Sequence, residues 1–238
     1  MQVVMATEAG SPGWPNEDFA AAAPGAAVLL DGATAPADVD TGCIHGVAWF
    51  ARTLGTELLA GITAVPPASL QQALAAAAAE VRARHEHTCD LTMRKTPGAT
   101  VTAVRAERDG LSYLALSDSS IVADYVDGRP PHVITDSHWA MRANPQLAMS
   151  ARVGTLAWAG LRGIALLSDG ATRIADCYGL AGWPEVIGII REAGPAALIS
   201  QVRAAEAGDP DGARWPRRKI RDDATVLWWP APATARPA

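Results

Sequence analysis

Two apolar runs in this sequence stop in the same way. Val28-Leu29-Leu30 ends in Asp31-Gly32-Ala33-Thr34, and Ile164-Ala165-Leu166-Leu167-Ser168 ends in Asp169-Gly170-Ala171-Thr172. Acidic residues also fall at predicted strand edges or turns in Asn16-Glu17-Asp18, at Asp118 and at Asp222-Asp223. Alone, an Asp in such a place is ordinarily a turn residue whose carboxylate bonds nearby backbone amides. Several together have a second chemistry open to them. Hard divalent cations such as Mg2+ and Mn2+ take oxygen ligands, keep several waters and accept only a few direct carboxylates each. Gly32 after Asp31 suits such an ion, because a residue without a Cβ lets its carbonyl approach a cation that the preceding carboxylate holds. Two such ions about 3.5–4 Å apart activate water for in-line attack on phosphorus.

These acidic positions need strands and helices to hold them. "QVVMATEA" and "AAVLLDG" read as short strands, the second bounded by Pro24-Gly25 and Asp31-Gly32. In "TGCIHGVAWFARTLGTELLAGI", Val47, Phe50, Ala51, Leu54, Leu58 and Leu59 recur at helical spacing. "ASLQQALAAAAAEVRARHEHT" predicts a second helix capped by Ser69, and the two helices are expected to pair. From Gly98 the period changes to two. Three strand candidates follow, with turns at Asp109-Gly110, Asp118-Ser119 and Asp127-Gly128, and such tight connections predict antiparallel neighbours. Ser137 to Met149 reads as an excursion or flap. "GIALLSDG" returns to strand, "WPEVIGIIREAG" and "PAALISQVRAAEAG" predict helices, and "RDDATVLWWP" predicts a last strand. The order indicates an α+β layered fold. We expect one domain over residues 1–230 and a disordered Pro- and Ala-rich tail over 231–238.

Composition narrows the function classes. The net charge is −5, and the first Lys or Arg is Arg52, after a run of uncompensated carboxylates. Nothing here suggests a nucleic-acid surface or a basic membrane anchor. The start lacks a basic and apolar leader, and no apolar run reaches the roughly 20 residues of a membrane span, so a cytoplasmic protein is expected, a monomer by default. Cys43, Cys89 and Cys177, an odd set at wide spacing, match neither a disulfide framework nor a zinc ribbon and are expected to be buried free thiols. The eight tryptophans are expected to fill core and interface space rather than bind a ligand, and "RWPRRKIRDD" is expected as a solvated basic loop. No phosphate-cradling glycine loop or Gly-x-Ser-x-Gly elbow is present.

Taken in order, "NEDF", "VLLDGAT", "PGATVTAV", "LALSDSSIV", "ALLSDGAT" and "RDDATVLWW" resemble the successive motifs of the metal-dependent protein phosphatases, the PPM or type 2C family. The resemblance runs from about Val3 to Trp229. It implies a four-layer α-β-β-α sandwich of two antiparallel sheets flanked by helix pairs, with two Mn2+ or Mg2+ ions per chain and removal of phosphate from phosphoserine or phosphothreonine. It implies that Asp31 bridges both ions, that the Gly32 carbonyl binds one, and that Asp169 and Asp222 hold the other. Asp18 would act directly or through water with Glu17 beside it. Asp118 stands where the family binds a weaker third ion, and Asp223 would orient its neighbour. The attacking group would be water activated by the ions at Asp31 and Asp169.

Departures from the family's pattern bear on the substrate. "GSPGWP" lacks the Arg that commonly precedes the first acidic pair and holds phosphate. Arg173 lies four residues beyond Asp169, where the family often has another Asp, and is the candidate replacement for binding phosphate. His45 is a candidate proton donor, although a lone His at a helix start is more often structural. Three readings follow: a phosphatase acting on phosphoproteins, a phosphatase acting on small phosphorylated metabolites, or a noncatalytic binding module that kept the fold.

Overall fold

The structure is a computed structural model that describes residues 2–36, 38–136 and 140–232. Along the chain come β1 (Val4–Glu8), β2 (Phe19–Ala23), β3 (Ala26–Leu30), β4 (Gly32–Ala33), α1 (Val47–Thr63), α2 (Leu70–His85), β5 (Gly98–Ala99), β6 (Val101–Ala106), β7 (Gly110–Leu116), β8 (Ser120–Tyr125) and β9 (His132–Ile134). A 3-10 turn (Pro145–Ser150), β10 (Arg152–Ala157), β11 (Leu161–Leu167), α3 (Asp169–Asp176), α4 (Trp183–Ala193), α5 (Pro195–Ala207) and β12 (Ala224–Pro230) follow. Contacts divide the chain into two compact units, one with β1, β8, β9, β11, α3–α5 and β12, the other with β2–β7, α1, α2, the 3-10 turn and β10.

In the second of these units the strands form an antiparallel sheet of order β10-β7-β6-β3-β2, beside a short β4-β5 pair. All five residues of β3 are buried, which explains why Ala26–Leu30 reads as an unbroken apolar run rather than an alternation. Helix α1 turns Phe50, Ala51, Leu54, Leu58 and Ile62 inward, and these join Leu70, Leu74, Ala77 and Val81 of α2 in one core with Val28, Leu30, Val101 and Leu114. Small residues set the spacing. At Gly55 a Cβ would stand 2.3 Å from the Phe19 ring, and at Gly61 it would stand 3.3 Å from the Ala73 Cβ. Ser69 caps α2 as expected, and the structure adds a reciprocal contact: the Ser69 hydroxyl accepts the Gln72 amide and the Gln72 side chain accepts the Ser69 amide. Helix α1 begins later than its periodicity suggests. Thr41–Gly46 is not helical, since Gly42 (φ 67°) and Gly46 (φ 78°) take left-handed conformations that interrupt a helix.

In the other unit the sheet order is β1-β12-β11-β8-β9, all antiparallel. Its helices bring Ile174, Val186, Ile190, Leu198 and Val202 into a core with Val122, Ala165, Leu167, Val226 and Trp228. Trp228 lies against Gly163, where a Cβ would stand 2.5 Å from the indole.

Both sheets are antiparallel and both units carry helices, so the α+β expectation holds. Other expectations are corrected. The turn at Asp118 does not make a hairpin: β7 pairs with β6 and β8 with β11 and β9, in different sheets. Ser117 interrupts the extended run with φ 72°, and the Ser119 hydroxyl is buried 2.5 Å from that of Thr100. The cysteines are not buried, for Cys43 and Cys89 are half-buried and Cys177 is exposed. Trp228 and Trp229 fill the interior, but Trp14 is 75% exposed. The basic run is not simply solvated, since Arg217 is enclosed against Asp209 at 2.6 Å. Within the expected excursion, Met141 bridges Ala99, while 137–139 lie outside the described residues. Residues 233–238 of the expected tail also lie outside them. No helix among the described residues is long and apolar enough to cross a membrane.

Candidate metal and phosphate site

Strand register gathers the first acidic group. β2 and β3 pair with Phe19 opposite Leu30, so Asp18 enters β2 at the end where Asp31 leaves β3. The backbone of Asp31 is fixed there. Its N–H donates to the Thr100 hydroxyl (3.2 Å), and the Thr100 N–H donates to its carbonyl (2.8 Å). Gly32 is buried in a slot that only glycine fits, because a Cβ would lie 2.5 Å from Val47 and 2.7 Å from both the Cβ and the carbonyl oxygen of Glu17. Glu17 accepts a hydrogen bond from the Thr34 hydroxyl through Oε2. Val101 pairs with Leu116, which returns the chain to the same end of this sheet, where Asp118 is exposed and accepts from the Ser117 hydroxyl at 3.2 Å. Glu17, Asp18, Asp31, Gly32 and Asp118 therefore share one end of one sheet.

The second group forms where β11 runs into α3. The Ser168 N–H donates to the Thr225 carbonyl (3.0 Å) and the Ser168 hydroxyl accepts from the Thr225 N–H (2.9 Å), locking the end of β11 to the start of β12. Asp169 is the first residue of α3, and Asp222 and Asp223 directly precede β12. The approach is close: a Cβ on Gly170 would stand 2.0 Å from the Asp223 carbonyl oxygen and 3.2 Å from the Asp222 Cβ. Asp223 accepts the Gly10 N–H at 2.8 Å.

Arg173 is part of this second group. One turn along α3 from Asp169, its guanidinium donates to Asp222 Oδ2 (2.8 Å) and to the Lys219 carbonyl (3.1 Å), and it stands 3.4 Å from the buried Glu206. Only 11% of its side chain is exposed. Burial works to lower its pKa, but Asp222 and Asp169 outweigh burial and the net shift is upward. Asp222 also accepts from Lys219 Nζ at 2.7 Å. Arg173, expected to bind phosphate, is thus engaged within the protein, on a carboxylate expected to hold a metal.

The donor chemistry bears on whether hard cations fit. Every candidate ligand is a carboxylate or carbonyl oxygen, the set that Mg2+ and Mn2+ prefer. The glycine-only slot at Gly32 brings its backbone against the Glu17 Cβ and carbonyl oxygen. In donor type the residues fit such ions, with one difference: Asp222 already accepts from Arg173 at Oδ2 and Lys219 at Oδ1, cations with which a metal on that carboxylate competes. His45 does not join the acidic residues in these contacts. Its Nδ1 lies 3.3 Å from Cys89 Sγ and 3.8 Å from Cys43 Sγ, and its ring stacks on Trp49 with centroids 4.3 Å apart. The sequence reading missed this cysteine–histidine group and the roles of Glu206 and Lys219. Lys219, three residues before Asp222 in the basic run, was a signal available for one of them.

Comparison with known proteins adds a family to this geometry. The profile of the family described as Protein phosphatase 2C matches residues 8–192, most of the chain. The chain belongs to that family. No curated protein sequence matches this phosphatase-family chain. Solved structures do. It resembles the serine/threonine phosphatase Stp1 from Staphylococcus aureus at 13% identity, with a TM-score of 0.66 over 98% of this chain and 95% of that one. It resembles the serine/threonine phosphatase PstP/Ppp from Mycobacterium tuberculosis at 17% identity and a TM-score of 0.64, covering 95% and 97%. PppA of Pseudomonas aeruginosa, described as a key regulatory component of T6SS, matches at 20% identity and a TM-score of 0.62, covering 95% and 96%. At these identities the likeness establishes the fold, and PPM phosphatases as a family are metal-dependent.

Proposed function

We propose that this chain is a phosphatase that hydrolyses phosphoserine or phosphothreonine monoesters with the help of two Mn2+ or Mg2+ ions. One observation supports it above the others: in a chain matched to the phosphatase family, the two Asp-Gly motifs end a strand or open a helix at places the backbone fixes, Gly32 against Glu17 and Gly170 against Asp222–Asp223. In this reading Asp31 and the Gly32 carbonyl are metal ligands, with Asp18 and Glu17 acting beside Asp31, and Asp169 and Asp222 are metal ligands too. This reading expects any third ion at Asp118 to bind weakly, since Arg173 replaces the Asp that the family's pattern often has four residues beyond Asp169. The ions supply water activation and neutralise the phosphate's charge.

The chain's own residues do the rest. Asp31 and Asp169 would be carboxylate donors to the ions; water adds its oxygen to phosphorus as the P–O ester bond breaks, and one water proton passes to the leaving serine or threonine oxygen. Arg173 acts by holding Asp222 rather than the substrate. We retain one domain over 1–230 as part of this proposal, with a phosphoprotein as the substrate.

The same Arg173–Asp222–Lys219 contacts favour a second reading, a noncatalytic module, since a carboxylate paired with two cations attracts metal less. Hydrolysis of an aryl phosphate by chelator-treated protein, with Mn2+ or Mg2+ added back, separates the two. The phosphatase reading expects turnover that returns with metal and falls roughly 100-fold or more in Asp31→Asn and Asp169→Asn, the scale of losing a preorganised electrostatic group. Folded wild-type protein that shows no metal-dependent turnover sinks it. Comparing phosphopeptides with phosphorylated metabolites then fixes the substrate class.

A further inference from the structure

Four side chains in the unit of α1 and α2 meet in a cluster that contains no carboxylate. Cys43 and His45 sit in the loop before α1, His85 is the last residue of α2, and Cys89 follows in the turn after it. One ligand atom from each lies within 4.8 Å of the others. We propose that Cys43, His45, His85 and Cys89 form a structural zinc site, distinct from the Mn2+ or Mg2+ carboxylates, that fastens the loop before α1 to the end of α2.

The distances match the chemistry. Zinc at about 2.3 Å from sulfur and about 2.0–2.1 Å from nitrogen, in a tetrahedron, sets edges of about 3.8 Å between sulfurs and about 3.6 Å between sulfur and nitrogen. Cys43 Sγ lies 3.4 Å from Cys89 Sγ, 3.8 Å from His45 Nδ1 and 3.6 Å from His85 Nδ1, and Cys89 Sγ lies 3.3 Å from His45 Nδ1. Two thiols and two imidazoles in this arrangement select zinc over Mg2+ or Mn2+, which prefer oxygen. Four protein ligands leave no open coordination position, so the site is structural rather than catalytic.

The surroundings are built for it. His85 is 1% exposed, and the nitrogen it turns toward the cluster is Nδ1, 3.6 Å from Cys43 Sγ. Burial holds that Nδ1 on the cluster rather than in water, so a metal there meets a nitrogen already positioned to bind it. The turn that follows α2 places His85 and Cys89 four apart, with the Cys89 N–H on the His85 carbonyl at 2.9 Å. The opposing loop is held in register by the Asp90 N–H on the Gly42 carbonyl at 2.8 Å. Gly42 itself has φ 67°, and a Cβ there would stand 2.7 Å from the Asp90 carbonyl oxygen. Trp49 stacks on His45 and tilts against His85 with centroids 5.2 Å apart, fixing both rings.

The test uses the full chain, reduced and freed of loosely bound metal, and needs no enzyme activity. Elemental analysis should find about one zinc per chain that survives dialysis. Co2+ in its place should give the intense visible absorption of a tetrahedral site and a near-ultraviolet thiolate-to-cobalt band. The paired variant Cys43→Ser, Cys89→Ser should lose the zinc and the band. Cys177→Ser, which changes an exposed thiol outside the cluster, and Asp31→Asn should keep both. The wild-type cobalt spectrum stands even where a variant fails to fold. A reduced chain that takes up no stoichiometric zinc and shows no thiolate band, or a Cys43–Cys89 disulfide that persists under mild reduction, overturns the proposal. So does zinc retained undiminished when both thiols are gone.

Discussion

At the scale of single residues, the informative difference between sequence and structure is Arg173. The sequence shows a cation where its relatives often have an anion, and that much was legible. Its partners were not, because Asp222 and Glu206 lie 49 and 33 residues away and only the packing of α3 on β12 and α5 brings them together. With 11% exposure on each side, the Arg173–Asp222 pair is mostly out of water. Removing one member of such a pair leaves a buried charge short of its partner, at a cost of about 3 kcal/mol. Arg173→Ala should therefore lower the urea midpoint by a corresponding amount, with Arg173→Lys recovering only part because an ammonium cannot match the planar fork. The same variant divides the two roles considered for Arg173. If it holds Asp222, the carboxylate left with Lys219 alone binds Mn2+ more readily and half-saturation falls, while the Michaelis constant for an aryl phosphate stays within about twofold. A Michaelis constant that rises tenfold with unchanged metal dependence would return Arg173 to phosphate binding.

At the scale of elements, periodicity revealed what local physics controls. The Ser69 cap and Ala-rich face of α2, the apolar stripe of α1 and the buried β3 are all written in residue types and spacing. Close approaches are not, because a glycine in sequence does not say what it faces. Gly170 faces the Asp223 carbonyl, a backbone atom that cannot swing aside. Gly170→Ala should cost about 1–3 kcal/mol and displace Asp222–Asp223, measurable as a lower melting temperature together with weaker metal dependence. The loop after α5 makes a second case. Asp209 accepts the Arg214 and Trp215 amides at 3.0 and 3.2 Å and Arg217 at 2.6 Å. The Arg214 amide, outweighing what desolvation opposes, leads the Arg217 and Trp215 contacts in holding this carboxyl below its ordinary 3.8, at about 2. Because the folded value is the lower one, this stabilisation is complete above the unfolded pKa and is lost as pH falls through about 2. Asp209→Asn should therefore be less stable than wild type at neutral pH, and the gap in unfolding midpoint should narrow between pH 4 and pH 2. A gap that stays constant over that range would mean the carboxylate's charge is not what holds the loop.

At the scale of the whole molecule, the family's motif order was readable across nearly the entire chain, and the two antiparallel sheets followed from it. The path of the chain through them was not readable, because a turn such as Ser117-Asp118-Ser119 looks the same whether it closes a hairpin or changes sheet. Neither unit is one continuous segment: the chain passes from one to the other after Asn16, Ser119, Ile134 and Leu156. The C-terminal strand carries much of the consequence. β12 lies inside its sheet, paired on one side with β1 (Val4 opposite Trp228) and on the other with β11 (Ile164 opposite Trp229). It also supplies Val226 and Trp228 to the core under α3–α5. A chain ending at Arg221 loses both ladders, leaves β1 with no neighbour in its sheet and strips the helices of part of the surface they cover. Such unpaired, apolar edges are where chains aggregate. We expect the shortened chain to be largely insoluble or, where recovered, to lack a cooperative urea transition. The full chain should unfold with coincident circular dichroism and tryptophan fluorescence midpoints, because four crossings tie the two units to one another's folding. A soluble chain ending at Arg221 with a sharp transition and protected amides in β11 would show that β12 is dispensable, and the ladder on both its sides argues against that outcome.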